Sequence, residues 1–229
     1  FQLIKNKSWI GKCLLHMGLI QQNQGDFFGS KETITEALQY LNKEKDTSYI
    51  VSTFNGLATN HRKLLNYEDA IKYYKEALAF STNKTEALVI QNNLAATLID
   101  NKNYKEAFKI LSKIAEDSLL KENPNNYARV LDNLGYTEWI IGKNDSKLKL
   151  FDALNLRIKI NDLRGQIASY THLGETTIKD NPKKAIFYMD SVLVLAKILK
   201  NPRAEKDALK QLMQLEPYNL KIKNRYVLL

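Results

Sequence analysis

The chain has one cysteine, Cys13, in 229 residues. A single thiol excludes an internal disulfide framework and leaves the redox compartment open. Glycine and proline are also scarce, at nine and four, too few for a loop-rich β protein. No apolar run approaches the ~18 residues of a membrane-spanning helix; VLVLAKIL, from Val192, is about the longest. No signal-peptide pattern opens the chain. Arginine is rare as well: 6 of the 34 basic residues, the other 28 being Lys. The net charge of +9 therefore reads as a Lys/Asn/Ile compositional bias more than as a surface of Arg forks built for nucleic acid. The excess is spread along the chain and is densest from Lys197 onward, with eight basic and three acidic residues. The first residue is Phe1 and the last five, RYVLL, read as mid-helix. The chain is expected to be an excerpt of a longer protein, so cytoplasm and periplasm both remain open.

What is present is a repeated word. NYEDAIKYYKEALAF begins at Asn66, and NYKEAFKILSKIAED begins 37 residues later at Asn103. In the first, Tyr67, Ala70, Ile71, Tyr74, Ala77 and Leu78 fall on one face of a helix. The helix before it carries Phe54, Leu57, Ala58 and His61 on one face, and a short turn at Leu65-Asn66 joins the two. Neither stripe is buried unless the helices pack together.

The unit recurs. A small residue follows Leu or Met at Met17-Gly18, Leu57-Ala58, Leu94-Ala95, Leu134-Gly135 and Leu173-Gly174, at intervals of 40, 37, 40 and 39. The second helices read Ser30-x3-Ile34-x2-Ala37-Leu38, Ala70-x3-Tyr74-x2-Ala77-Leu78, Ala107-x3-Leu111 and Ala185-x3-Met189-x2-Val192-Leu193. The fourth, DSKLKLFDALNL, fits with a slip of about one residue. Pro124, Pro182 and Pro202 each follow Asn, and Pro217 follows Glu216. All four are expected to open helices, because proline has no amide to lose there. Expected helices are 8–24, 28–43, 47–65, 67–81, 84–101, 104–121, 124–141, 145–160, 163–180, 182–200, 202–215 and 217–229, with no convincing strand.

Five units in phase resemble the tetratricopeptide repeat (TPR) family, in a variant whose period exceeds the usual ~34 residues, as in bacterial sensor kinases and regulators. The resemblance covers about residues 11–200. Leu14, Phe54, Gln91, Leu131 and Tyr170 stand at the family's Trp position. It implies an all-α, right-handed superhelical solenoid of five to six helix-turn-helix repeats, spanning 1–229 as one domain. The repeats would be 8–44, 47–81, 84–121, 124–160 and 163–200, with a partial one at 202–229.

Chemistry is thin on this scaffold. His16, His61 and His172 are too far apart in the array for a metal site. Cys13 near His16 lacks further ligands, and no phosphate loop or nucleophile elbow occurs. No cofactor and no enzymatic activity are expected. The resemblance instead implies a concave face lined by the first helices. Its stripe holds Asn55, Thr59 and Arg62, then Asn92, then Arg129, Asp132, Tyr136 and Trp139, then Glu175. Short polar groups suit a peptide backbone, and Arg and aromatic residues suit its side chains. Leu15 and Leu19 stand where one subset of the family grips a terminal carboxylate, which disfavours that role. The expected function is a protein- or peptide-binding scaffold, the sensory or regulatory part of a larger bacterial signalling protein. Self-association through the C-terminal helix is a further expectation. The alternative is a nucleic-acid-binding helical array using the basic surface.

Overall fold

The computed structural model describes residues 7–143 and 146–228. The described residues form thirteen helices and no strand, and the chain divides into two compact units, Phe1–Ile114 and Ala115–Leu229. The helices of the first unit are α1 (Lys7–Gln24), α2 (Phe27–Ala37), α3 (Thr47–Lys63), α4 (Tyr67–Phe80), α5 (Lys84–Asp100) and α6 (Tyr104–Ala115), which ends at the boundary. The second unit holds α7 (Ser118–Lys121), α8 (Pro124–Ile140), α9 (Ser146–Lys159), α10 (Leu163–Thr177), α11 (Pro182–Ile198), α12 (Pro202–Leu215) and α13 (Leu220–Val227).

In each unit the helices pack in consecutive antiparallel pairs: α1 on α2 and α3 on α4 in the first, α8 on α9 and α10 on α11 in the second. Each pair is held close by a small residue at one register. A Cβ on Gly135 would lie 2.8 Å from the Ser146 carbonyl oxygen and 3.1 Å from Leu150 Cγ. One on Gly174 would lie 1.9 Å from Met189 Cε, and one on Gly18 would lie 2.4 Å from Ile34 Cγ1. Ala58 and Ala95, at the same register, are fully buried. The second helices answer with Ser30, Ile34 and Ala37, with Ala70, Tyr74 and Ala77, with Ser146, Leu150 and Ala153, and with Ala185, Met189 and Val192, all buried. Helix α9 therefore keeps the x3-x2 spacing of its counterparts with Ser146 in the leading place, and no slip within the helix is needed.

The turns repeat too. Gly25, Leu65, Lys102 and Gly142 end first helices with φ between 60° and 88°. Asn161 and Lys200, with φ of 55° and 49°, end α9 and α11. After each, the next amide reaches back five residues: Asn66 N–H to the His61 carbonyl at 2.9 Å and Asn103 N–H to that of Leu98 at 2.7 Å. This is the left-handed cap that satisfies the last carbonyls of a helix. The repeated Asn-Tyr is thus the exit from that cap into the second helix, with Asn66 and Asn103 bonding Asp69 and Glu106.

Helices start as the sequence reading expects at three of four prolines. Asn123, Asn181 and Asn201 accept from the amides of Asn126, Lys184 and Ala204, with proline in the first turn. Pro217 is the exception: it lies in a turn, and Asn219 caps α13 by accepting from Lys221 and Ile222. Two other expectations are corrected. Helix α2 stops at Ala37 rather than 43, because Asp46 takes the Asn42 amide while Asn42 holds those of Glu44 and Lys45. The expected helix 104–121 is broken at Glu116-Asp117, where the Asp117 carboxylate accepts from Leu119 and starts a fresh turn. The expected helix start at 145 and end at 229 lie outside the described residues.

Side chains tie successive first helices at the repeat spacing. Ser8 donates to Asp46 at 2.8 Å, Gln22 to Asn60 at 2.8 Å and Asn93 to Asn55 at 3.2 Å, each across 38 residues. Asp46 also takes Lys12 at 2.9 Å. The hydrogen bonds from Lys12, the Asn42 amide and Ser8 outweigh its burial and lower its pKa to about 2.

The close approach at Gly135 gives a direct test. Gly135→Ala places a methyl against backbone, whereas the methyl of Gly174→Ala meets the flexible end of Met189. Thermal denaturation is expected to show the Gly135 variant destabilised by about 1–3 kcal/mol and the Gly174 variant by clearly less. Equal melting shifts would contradict this packing.

Candidate functional site

In the first unit Asn55 and Arg62 form ties across repeats, and Thr59 bonds within its own helix pair. Asn55 accepts from Asn93, and Thr59 Oγ1 lies 3.1 Å from the Tyr74 hydroxyl. Arg62 is paired with Asp100 at 2.7 Å, with both side chains partly exposed. Asn92 is 3% exposed. It faces the core, and its neighbour Asn93 makes the bond to Asn55. The expected row of short polar groups offered to a ligand is therefore corrected at Asn92 and, in the second unit, at Asp132, which is 1% exposed.

The second unit assembles Asp132, Tyr136, Trp139 and Glu175 around residues that sequence reasoning passed over. Asp132 on α8 takes Arg157 Nη1 of α9 at 3.1 Å, His172 Nδ1 of α10 at 3.0 Å and the Ser169 hydroxyl at 3.1 Å. Arg157 also donates to Ser169 at 2.6 Å and to the Gly165 carbonyl at 2.8 Å. The His172 ring stacks on Tyr136, with centroids 4.1 Å apart and planes 13° apart. Tyr136 stacks in turn against Trp139 at 5.8 Å. The Tyr136 hydroxyl donates to Glu175 Oε2 at 2.7 Å, and Gln211 of α12 donates to Glu175 Oε1 at 2.9 Å. Tyr136, Trp139, Glu175 and Arg129 are half-buried, so a face built on a rigid ionic base meets solvent.

The electrostatics follow from this geometry. Burial opposes the charge on Asp132, but His172, Arg157 and the Ser169 hydroxyl outweigh it and lower its pKa. Burial likewise opposes protonation of His172. The Asp132 carboxylate, by attraction and hydrogen bond, and Glu175 beyond it prevail over burial and over Arg157, so its pKa is raised. A protonated imidazole flat on a phenol ring also gains the cation–π attraction.

A sequence signal for Arg157 existed. It falls at the packing register of α9 with Leu150, Ala153 and Leu154, and is buried there. A charge on an apolar stripe announces a buried partner. His172 and Gln211 carried no such signal. Among the described residues no group of three His, Cys, Asp or Glu side chains could hold a metal, and no helix is long and apolar enough to cross a membrane.

No protein-family model and no curated protein matches the sequence. Solved structures do. A Rap protein complexed with Competence and Sporulation Factor is 15% identical at a TM-score of 0.78, the match covering 93% of this chain and 61% of that one. TTC0263, a thermophilic TPR protein from Thermus thermophilus, is 15% identical at 0.56, covering 95% and 97%. A STAND signal-transduction ATPase with a tetratricopeptide repeat sensor, from Pyrococcus horikoshii, is 19% identical at 0.65, covering 88% of this chain and 32% of that one. The fold is a tetratricopeptide-repeat fold. The first helices of the TPR pairs in the second unit, α8 and α10, together with α12, carry the whole Asp132–His172–Tyr136–Glu175–Gln211 chain.

The raised pKa of His172 has a definite sign. Its protonated form is favoured by folding, so its contribution is complete below the unfolded value near 6.5 and is lost as pH rises through the folded value. Imidazole NMR titration is expected to place His172 above 6.5, and Asp132→Asn to bring it down. Between pH 6 and 8, wild type should lose stability relative to His172→Gln. A His172 that titrates below 6.5 would contradict the ion pair.

Proposed function

We propose that this chain is a non-enzymatic scaffold that binds protein or peptide through the first-helix faces of its TPR units, as the sensory or regulatory part of a larger bacterial signalling protein. The observation that carries the reading is the half-exposed Tyr136–Trp139 stack on a base formed by the buried Asp132–Arg157 pair and the partly exposed His172. Aromatic groups held in one geometry lose little freedom on binding, and such groups supply most of the energy at protein interfaces. Arg129 lies on the same helix about two turns before Tyr136 and would receive an acidic group of the ligand. Asn55, Thr59 and Arg62 on α3, with the buried Asn92 on α5, are proposed as an accessory polar surface on the first unit. The fold supports the reading, as does the binding of a factor by the matched Rap protein. The regulatory role draws on the matched STAND protein, where a region of this size is about a third of the chain.

The test uses Trp139 as reporter. Trp9, the other tryptophan, is 58% exposed, and Trp9→Phe leaves Trp139 alone. Peptides selected on the immobilised chain from a displayed library of random dodecapeptides are expected to give a saturable change in Trp139 fluorescence that varies little with salt. A labelled single-stranded or duplex oligonucleotide that binds instead, with affinity falling steeply as salt rises, would replace this reading with the nucleic-acid one.

Self-association through the C-terminal helix belongs to the same proposal. Tyr218, Leu220, Val227 and Leu228 are 69–92% exposed around α13, while Ile222 and Tyr226 pack toward α12. Sedimentation is expected to show a concentration-dependent dimer that Val227→Lys with Leu228→Lys abolishes. A monomer over the whole accessible range would refute it.

A further inference from the structure

We propose that the Tyr136–Glu175–Gln211 cluster is the seat for a basic side chain, Lys or Arg, of the bound peptide. The inference rests on the peptide-binding reading and adds the polarity of the residue recognised. Tyr136, Glu175 and Gln211 occupy corresponding places on α8, α10 and α12, and are joined by hydrogen bonds across 39 and 36 residues. The cluster has more acceptors than donors. Each Glu175 oxygen takes one bond, from the Tyr136 hydroxyl or the Gln211 amide, and keeps a lone pair. The Gln211 carbonyl oxygen is buried and has no partner. Its orientation is set by chemistry, since a flipped amide would turn its oxygen against the carboxylate. A buried acceptor without a donor is costly, and a ligand ammonium or guanidinium brings donors in excess.

The surroundings favour a cation for two further reasons. Arg157 and His172 both bond Asp132, and Glu175 is the carboxylate on the half-exposed side. Tyr136, whose hydroxyl bonds Glu175, stacks against Trp139, and aromatic faces attract ammonium and guanidinium groups. An acidic ligand residue would meet Glu175 and the Gln211 carbonyl, and an apolar one would leave that carbonyl unpaired and bring no countercharge to Glu175. Lysine and arginine alone supply what the cluster lacks: donors, positive charge and an aliphatic stem to lie along the rings.

The experiment sorts the random dodecapeptide library on wild type and on Glu175→Gln, which keeps the shape and the acceptor for Tyr136. Retention of the melting temperature checks its fold. Wild type is expected to enrich Lys or Arg at one fixed position, and the variant to lose that enrichment. For a selected peptide, replacing the basic residue by citrulline or norleucine should weaken binding to wild type at least about tenfold, a typical hot-spot effect. The same replacement should cost little on Glu175→Gln, and that coupling distinguishes contact from a structural role for Glu175. If Glu175→Gln fails to fold, the citrulline or norleucine peptide on wild type decides alone. Selected peptides without an enriched basic position, or with full affinity after its replacement, would overturn the basic-residue seat and leave peptide binding standing. No selected peptide at all would overturn peptide binding and the seat together.

Discussion

The close contact between the small residue of each first helix and its partner helix is the constraint on which the rest depends. At Gly135 the space for a side chain is already filled by the Ser146 carbonyl and the Leu150 side chain. The two helices can therefore interlock Leu131 and Leu134 with Leu150 and Leu154, all buried. Wider separation would leave these side chains without partners on one side, and dispersion falls off steeply with such gaps. The left-handed caps at Leu65 and Lys102 serve the same end, because each turns the chain from a first helix into a second within three residues.

Given that packing, the first helices lie near enough for side chains one repeat apart to bond, and the two units use that proximity differently. The first joins its helices with neutral amides, Gln22 to Asn60 and Asn93 to Asn55, and with the ion pairs Lys12–Asp46 and Arg62–Asp100. The second builds an ionic and aromatic chain from Arg157 through Asp132, His172, Tyr136 and Glu175 to Gln211. A buried carboxylate is costly unless every partner is in place, so Asp132 locks the orientation of His172, and His172 in turn supports the Tyr136 ring. The half-exposed Tyr136 ring is thereby held in one geometry.

Much of the local fold was legible. The Leu-small pairs at 37–40 residue intervals, the apolar stripes and the Asn-Pro starts at 123, 181 and 201 are local patterns, and local physics decides them. The same logic misjudged Pro217, where a better cap at Asn219 lay two residues on, and the region after Ala37, where Asp46 captured the Asn42 amide. Both outcomes turn on a competing hydrogen bond that a propensity cannot rank. At the candidate site, helical spacing aligns Asp132, Tyr136 and Trp139 along α8, and the repeat period brings Glu175 of α10 to Tyr136. Whether each pointed to solvent or core was not legible, and Asn92 and Asp132 proved buried.

The sequence by itself determined that the chain is a series of amphipathic helix pairs, because helix period, caps and turns are set by residues close together in the chain. Only the tertiary structure decided which polar residues meet. Asp132, Arg157, His172 and Gln211 lie on four different helices. Nothing in their own neighbourhoods links them, since the bonds and stacking that join them depend on the distances and rotations at which the helices pack.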